Sequence, residues 1–568
     1  MRQLRIRSAH RLCVLALSLA IIGACSTSPF TIDTKAKAPV LDGYGEATLV
    51  PSHGNAAARR LFAQGMAQTY AFNRPEAIRA FKAALAQDPS CAMCAWGVGL
   101  QMGPNINARS RGELGDAVKY IDYAVKHSNG ASERDRALIQ AAALRYGHSS
   151  ARNLAPPAGA ICRTTGDDEA ADPLDIAYAM QMQDLAERFP DDPDVITHYA
   201  EAEMVATRGT MWDPVTGKPT GRIGDMTARI EKALTLHPDH VGLNHYLIHA
   251  VDAVPVADRA VAAADKLGRL APKSPHLLHM PSHTYAHVGR YAEATEVNQR
   301  AVAADEVLMA ELKKQKFAKT VDWRDHNTHF QWYGALMEGR GELALHSARN
   351  AAARTEGDHA WSEYMRTLPL LTLLHLQRWD ALAREPLVTG NEGVATVLSE
   401  MARGIGQLRT GKRSEAAATL ARIEAHNKSL LEKHKGNNFM AKLVRGLATS
   451  SHKQLAAEIA FADGRIDEAL KLQGEAVEAG KLPDQTEPPM LASGPRQRLG
   501  SMQLRAKRFK EAEQTFLADL VLHPKNGWAL NGLEKSLAAQ GRESDAHMAR
   551  QTLATSWAAA ESSVRGIQ

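Results

Sequence analysis

Aromatic side chains are scarce in this chain of 568 residues, at 5% of the total, and cysteine occurs only five times. Strands favour aromatic and β-branched residues, so this shortage, joined to abundant alanine, disfavours a sandwich or barrel and favours closely packed helices. Net charge is nearly missing as well. The formal +5 falls to +1 once the four arginines of the acid-free first 24 residues are set aside. No global field then attracts phosphates, and no nucleic-acid partner is expected. A 45% hydrophobic content nevertheless excludes general disorder.

The apolar run Leu12 to Ile22 is too short for a permanent transmembrane helix, which needs about 20 residues. Preceded by Arg2, Arg5, Arg7 and Arg11, it reads as a secretory signal over residues 1–24. Ile22-Gly23-Ala24-Cys25 resembles a bacterial lipobox, which implies acylation of Cys25, and Ser26 after it resembles lipoproteins sent to the outer membrane. The expectation is an outer-membrane-anchored lipoprotein facing the periplasm, held by lipid alone, with residues 25–55 as acylated cysteine and flexible tether. Export permits disulfides. Cys91-Ala-Met-Cys94 is open to three readings, a small disulfide, a redox pair or half of a metal site, and no second CxxC exists to complete a zinc knuckle.

Familiar catalytic signatures are absent: there is no HExxH, GxSxG or GxGxxG. Gly406 to Arg413 nearly spells a phosphate-binding loop, but Arg413 stands where a metal-binding hydroxyl is required, and Gly411 precedes Ala416 as Gly289 precedes Ala294. That segment is a repeat turn. Whether the chain is an enzyme is therefore undecided, with a non-catalytic role favoured.

What is present is a repeat. Residues 56–89 place Gly65, Ala77, Phe81, Ala84 and Pro89 at the spacing of a 34-residue helix-turn-helix unit and resemble a tetratricopeptide repeat. Ala512, Phe516 and Pro524 repeat the intervals of Ala77, Phe81 and Pro89, and Pro238 and Pro272 lie 34 residues apart. The expected fold is all-α, a solenoid of antiparallel helix pairs over 56–560, with inserted loops near 147–173, 209–224 and 481–495 rich in Pro, Gly and Asp. Trp96, Trp323, Trp332 and Trp361 are expected to fill the core between alanines rather than to stack a ligand.

Histidine is the exception to all this blandness. Residues 237–287 hold eight of the 23 histidines, where composition predicts about two. His245 and His249 follow Pro238 by seven and eleven residues, and His279 and His283 follow Pro272 by the same intervals. His329 precedes Ala344 by 15, as His245 precedes Ala260 and His279 precedes Ala294; His326 matches His276. Glu201, eleven after Pro190, heads the same column. Offsets of three, four and seven share one helix face, so these side chains are expected to converge in the concave groove. Three chemistries remain open there: a transition metal, a structural network of hydrogen-bonded imidazoles, or a seat for a peptide carboxylate. With no thiolate to match, the ions expected are Zn, Cu(II), Ni or Fe. Asp252, Asn244 and Asn327 are the candidate acceptors behind the imidazoles, and His287 and His237 read as bystanders.

The phrases AFNRPEAIRAF, DPSCAMCAWGVGLQMGPNIN, HPDHVGLNHYLIHAVDA, HLLHMPSHTYAHVGRYAEATEVNQRAVAADE, DHNTHF, EPP and PKNGWALNGL resemble a family of large bacterial tetratricopeptide-repeat proteins. The resemblance covers most of the chain after residue 55 and implies the fold, not an activity. In that family the place of Asp252 is more often glutamate and that of Met490 often aromatic. The functional expectation is a binding or scaffold module that takes a protein or peptide in its concave groove. Its alternative is a transition-metal-binding protein, open to metal-dependent hydrolase chemistry, using His245, His249, His276, His279, His283, His326, His329, Glu201 and Asp252.

Overall fold

The computed structural model describes residues 30–107, 114–147, 171–207, 210–214, 216–317 and 321–567. Signal peptide, Cys25, Cys162 and most of the 147–173 loop lie outside the described residues. The described residues are helical, with one isolated bridge between Trp212 and Pro219 and no strand. Each helix packs on the next in the chain, beginning with Ala56–Tyr70 on Arg74–Gln87 and ending with Gly527–Ala538 on Glu543–Ser556. The chain is therefore an α-solenoid of helix pairs.

Two features of the repeat show why this sequence makes helix pairs. Phe81 lies between Gly65 of its own pair and Gly97 of the next, where an added Cβ would stand 2.5 and 2.7 Å from ring carbons. Phe516 is clamped by Gly500 and Gly532 at the same sequence intervals. A ring that plugs two glycine notches lets the backbones approach closely and fixes the stacking of one pair on the next. The second feature is the turn between helices. Gly289, Gly339, Gly411, Gly464 and Gly541 each stand five residues before a small core residue and adopt φ between 73° and 81°, the left-handed region glycine tolerates best. At the same place three units carry Phe72 (φ 53°), Gln377 (φ 51°) and Lys507 (φ 61°). Gln377 and Lys507 are exposed; Phe72 is 5% exposed.

The expected flexible tether does not hold for residues 30–54. This segment is a strap laid across the first repeats: Tyr44 and Leu49 are buried, and Phe30 packs edge-on against Tyr120. Its polar groups are taken up in turn by helix starts, Ser52 N donating to Asp135 (2.7 Å), Thr48 to Asp194 (2.6 Å), and Lys273 N to the carbonyl of Gly43 (2.8 Å). Burying those apolar side chains while satisfying the backbone outweighs the entropy of a free linker. The 209–224 insertion also docks, with the Trp212 indole donating to the Ala250 carbonyl at 2.6 Å. The third expected loop, 481–495, runs inward, where Met490 is buried and its carbonyl accepts from Tyr364. The last repeats fold back on the middle of the chain. Trp528 and Trp557 donate their indole N–H to the carbonyls of Leu336 and Met337, at 2.9 and 3.0 Å. Cys91 and Cys94 form a buried disulfide at the start of Ala92–Met102. No described helix is long and apolar enough to cross a membrane.

Candidate metal centre

Four neighbouring helices supply the histidines. His245 and His249 sit on Val241–Ala250, His276 and His279 on Pro275–His279, His283 on Pro281–His287, and His326 on Arg324–Met337. His240 caps the first by accepting from Leu243 N, and Ser274 with Pro275 starts the second. One turn separates His245 from His249 and His279 from His283, so each pair projects from a single face.

The side chains form two groups of three. In the first, His245 Nε2 lies 3.1 Å from His276 Nε2 and 3.1 Å from His249 Nε2. In the second, His279 Nε2 lies 3.0 Å from His283 Nε2 and 3.1 Å from His326 Nε2. Ring centroids of His276 and His279 are 6.0 Å apart and those of His249 and His283 6.3 Å, so the trios abut. Three nitrogens bound tetrahedrally at about 2.0–2.1 Å would be separated by about 3.3–3.4 Å. The observed spacing is close to that edge.

The outer nitrogens decide what the inner ones offer. His245 Nδ1 stands 2.7 Å from the Tyr70 carbonyl, which only accepts, so Nδ1 carries the proton and Nε2 presents its lone pair to the trio. Asn298 donates its amide to the Ala294 carbonyl and so turns its oxygen to His279 Nδ1 at 2.7 Å, with the same result. His283 Nδ1 donates to Asp252 at 2.8 Å. A carbonyl, amide or carboxylate behind the ring is the usual support of a metal-bound imidazole. None of these three is bonded to backbone or carboxylate through both nitrogens. In each trio two further Nε2 atoms crowd a single inward lone pair, which can accept well from only one of them. Hydrogen bonding alone therefore leaves each trio incompletely satisfied.

Burial drives protons off these rings. His249 and His326 are pushed down to about 3, by burial first and then by the nearby charge of His283. His245, His276 and His279 are held well below the ordinary value, again chiefly by burial. His283 is the exception. Burial opposes its charge, but Asp252 raises it to about 10. The centre therefore offers five neutral imidazoles and one imidazolium–carboxylate pair. Neutral imidazole is the form that binds metal, so the first trio offers its ligands as it stands, whereas an ion on the second must displace the proton that Asp252 holds on His283.

Aromatic rings flank both trios. Phe72, from the turn of the first repeat, lies 4.5, 5.4 and 5.0 Å from the rings of His245, His249 and His276. Phe330 lies 4.7, 4.6 and 5.1 Å from those of His279, His283 and His326. Trp323 stacks on His276 at 4.4 Å. Trp96 and Trp332 are core residues, as expected.

Other expectations need correction. The histidines are more enclosed than expected: His245, His276, His279 and His283 are buried, with Phe72 over His245 and His276 and Phe330 beside His279, whereas His249 and His326 keep partial exposure. His329 belongs to neither trio; three residues beyond His326, it points into the next repeat and meets the Tyr364 hydroxyl at 2.8 Å. Glu201 is buried beside Tyr246, Arg74 and Arg145 and takes no part. Asn244 and Asn327 bond elsewhere, to the Pro238 and His240 carbonyls and to Asp305. His287 is no bystander, since its Nε2 lies 2.9 Å from Asp252. Glu487, in the 481–495 segment, reaches within 3.4 Å of His283 and joins it and Asp252 in a third potential ligand group. Sequence reasoning missed Phe72, Trp323, Asn298 and Glu487. For Phe72 a signal exists: it is an aromatic residue at a position where five other repeats have glycine.

No family model matches this chain, and no curated protein matches it. Among solved structures, yeast Tom70 is 13% identical over 88% of this chain and 91% of its own, with a TM-score of 0.29. The Cut9–Hcn1 hetero-tetramer of the APC/C is 12% identical over 92% and 77%, at 0.28. The human IFIT1 dimer with m7Gppp-AAAA is 10% identical over 83% and 90%, at 0.27. The solenoid assignment rests on this chain's own helix pairing.

Proposed function

We propose that this protein is a helical-repeat metalloprotein that holds two transition-metal ions, one on each histidine trio. The observation that carries the reading is the convergence of three Nε2 atoms in each trio, with Nδ1 of His245, His279 and His283 held from behind. Imidazole-only ligands suit Zn, Cu, Ni or Fe. Three protein ligands leave each ion a position for a further ligand, as catalytic zinc sites do, so hydrolysis is compatible with the reading and not required by it. The lipobox and the signal belong to the same proposal: an exported lipoprotein anchored through Cys25, facing the periplasm. A peptide ligand at the histidines is disfavoured by their burial.

The test is metal content by mass spectrometry on protein purified without chelators, with His249→Ala and His326→Ala as trio-specific variants. Wild type should carry two ions per chain, and each variant should keep the ion of the intact trio. Metal-free wild type that also fails to take up Zn(II) or Cu(II) on titration would falsify the reading and leave a structural histidine network.

A further inference from the structure

Away from the two histidine trios, residues between 374 and 409, Glu458, residues between 494 and 539, and Ile567 line an open cavity of about 590 Å³. That is within the usual range of small-molecule sites. Its charge is one-sided. Among the described residues Glu458, 1% exposed, is the only acidic side chain in its wall, and Arg409, Arg498 and Arg505 converge on it. Arg409 bonds it at 2.8 Å, whereas Arg498 and Arg505 stand off at 3.5 Å, an ion-pair distance too long for a strong hydrogen bond. Lys535, on the same wall, donates to the Ile567 carbonyl at 3.4 Å. Among the described residues of the wall, four cationic side chains thus face one acidic side chain.

Two neutral polar groups lie beside these charges. His375 Nε2 and Gln497 Nε2 are buried in this wall without a hydrogen-bond partner. Burial first, and Arg409 as well, push the guanidiniums of Arg498 and Arg505 below their ordinary range. Arg409, Arg498 and Arg505 are 31%, 15% and 36% exposed, so they border the open side of the cavity, and only Glu458 beneath them is buried. A purely structural cluster would be expected to bring its charges nearer balance around that carboxylate. Trp379, Trp528, Phe509 and Leu504 supply apolar surface to the wall, alongside the polar Gln377, Ser501 and Asn531.

We propose that this cavity binds a small organic anion with an apolar body, its carboxylate or phosphate seated between Arg498 and Arg505 and its body against Trp379 and Trp528. Planar guanidiniums grip such a head group through paired N–H donors. His375 and Gln497 complete the donor set. The site shares no residue with the metal centre, so it stands whether or not that centre holds metal.

The experiment is calorimetric titration of the purified full chain with 2-naphthoate, 2-naphthamide and inorganic phosphate. Naphthoate should bind, the uncharged amide at least about tenfold more weakly, and phosphate more weakly than naphthoate, since charge and body both contribute. Arg505→Gln, and separately Lys535→Gln at the rim in case the buried cluster needs Arg505 to fold, should each weaken naphthoate with unchanged far-ultraviolet circular dichroism. Several results would overturn the proposal: no naphthoate heat at millimolar concentration, an amide that binds as well as the acid, phosphate that binds as tightly as naphthoate, or folded variants of both kinds with wild-type affinity.

Discussion

Phe72 offers a decisive perturbation because its backbone and its ring pull in opposite directions. It occupies a turn position where five repeats have glycine, at φ 53°, a conformation that costs a non-glycine residue about 1–2 kcal/mol. Replacing it with glycine relieves that strain but returns about 0.4–1 kcal/mol of freedom to the unfolded chain, so the two backbone effects nearly cancel. The ring does not cancel. It is 5% exposed and packs on three imidazoles of the first trio, and truncating a buried phenylalanine costs about 3–5 kcal/mol. Gln377 and Lys507 share the backbone position with exposed side chains, so their replacement reports chiefly the backbone effect. Gln377→Gly and Lys507→Gly should shift stability by no more than about 1 kcal/mol, whereas Phe72→Gly should lose roughly 3–5 kcal/mol. Scanning calorimetry compares the variants, using the transition that includes the first repeats, because a solenoid can melt in parts. Phe72→Gly should also keep its metal stoichiometry yet surrender the ion of the first trio faster to a chelator. If Phe72→Gly is as stable as the two controls, the ring holds nothing and its place over the histidines is incidental.

Two further outcomes follow from packing and charge. Gly97→Ala and Gly532→Ala should each destabilise by about 1–3 kcal/mol in urea titrations, since the new methyl meets Phe81 or Phe516; equal stability to wild type would mean that the rings can retreat. Asp305 is buried, with its carboxyl raised to about 8 by burial first and Asp322 second. The unfolded chain releases this proton near 3.8, so between that value and about 8 the folded state binds more protons and stability falls as pH rises. Asp305→Asn, which can still accept from Asn327, should therefore match wild type near pH 4 and exceed it by a few kcal/mol near pH 8. Parallel pH profiles for the two proteins would exclude a buried protonated Asp305.

The repeat and its consequences were legible in the amino-acid order alone. A period of 34 residues, with glycine, alanine and phenylalanine at fixed offsets, specifies helix pairs because those residues act locally, through turn conformation and close approach. The histidine column was legible for the same reason: equal distances from Pro238 and Pro272 put His245 and His249 on the same face as His279 and His283. Local periodicity says which face a side chain takes, and not which neighbour it meets across the superhelix. Tertiary structure alone divided the histidines into two trios and sent His329 to Tyr364 and Glu201 toward Arg74 and Arg145. It also brought Phe72 from the first repeat and Glu487 from the eleventh-hour loop 481–495 to the centre, and wound residues 30–54 over the first helices as a strap. Those contacts join residues far apart in the chain, and they depend on the curvature that accumulates as small rotations from pair to pair. No repeat encodes that sum by itself.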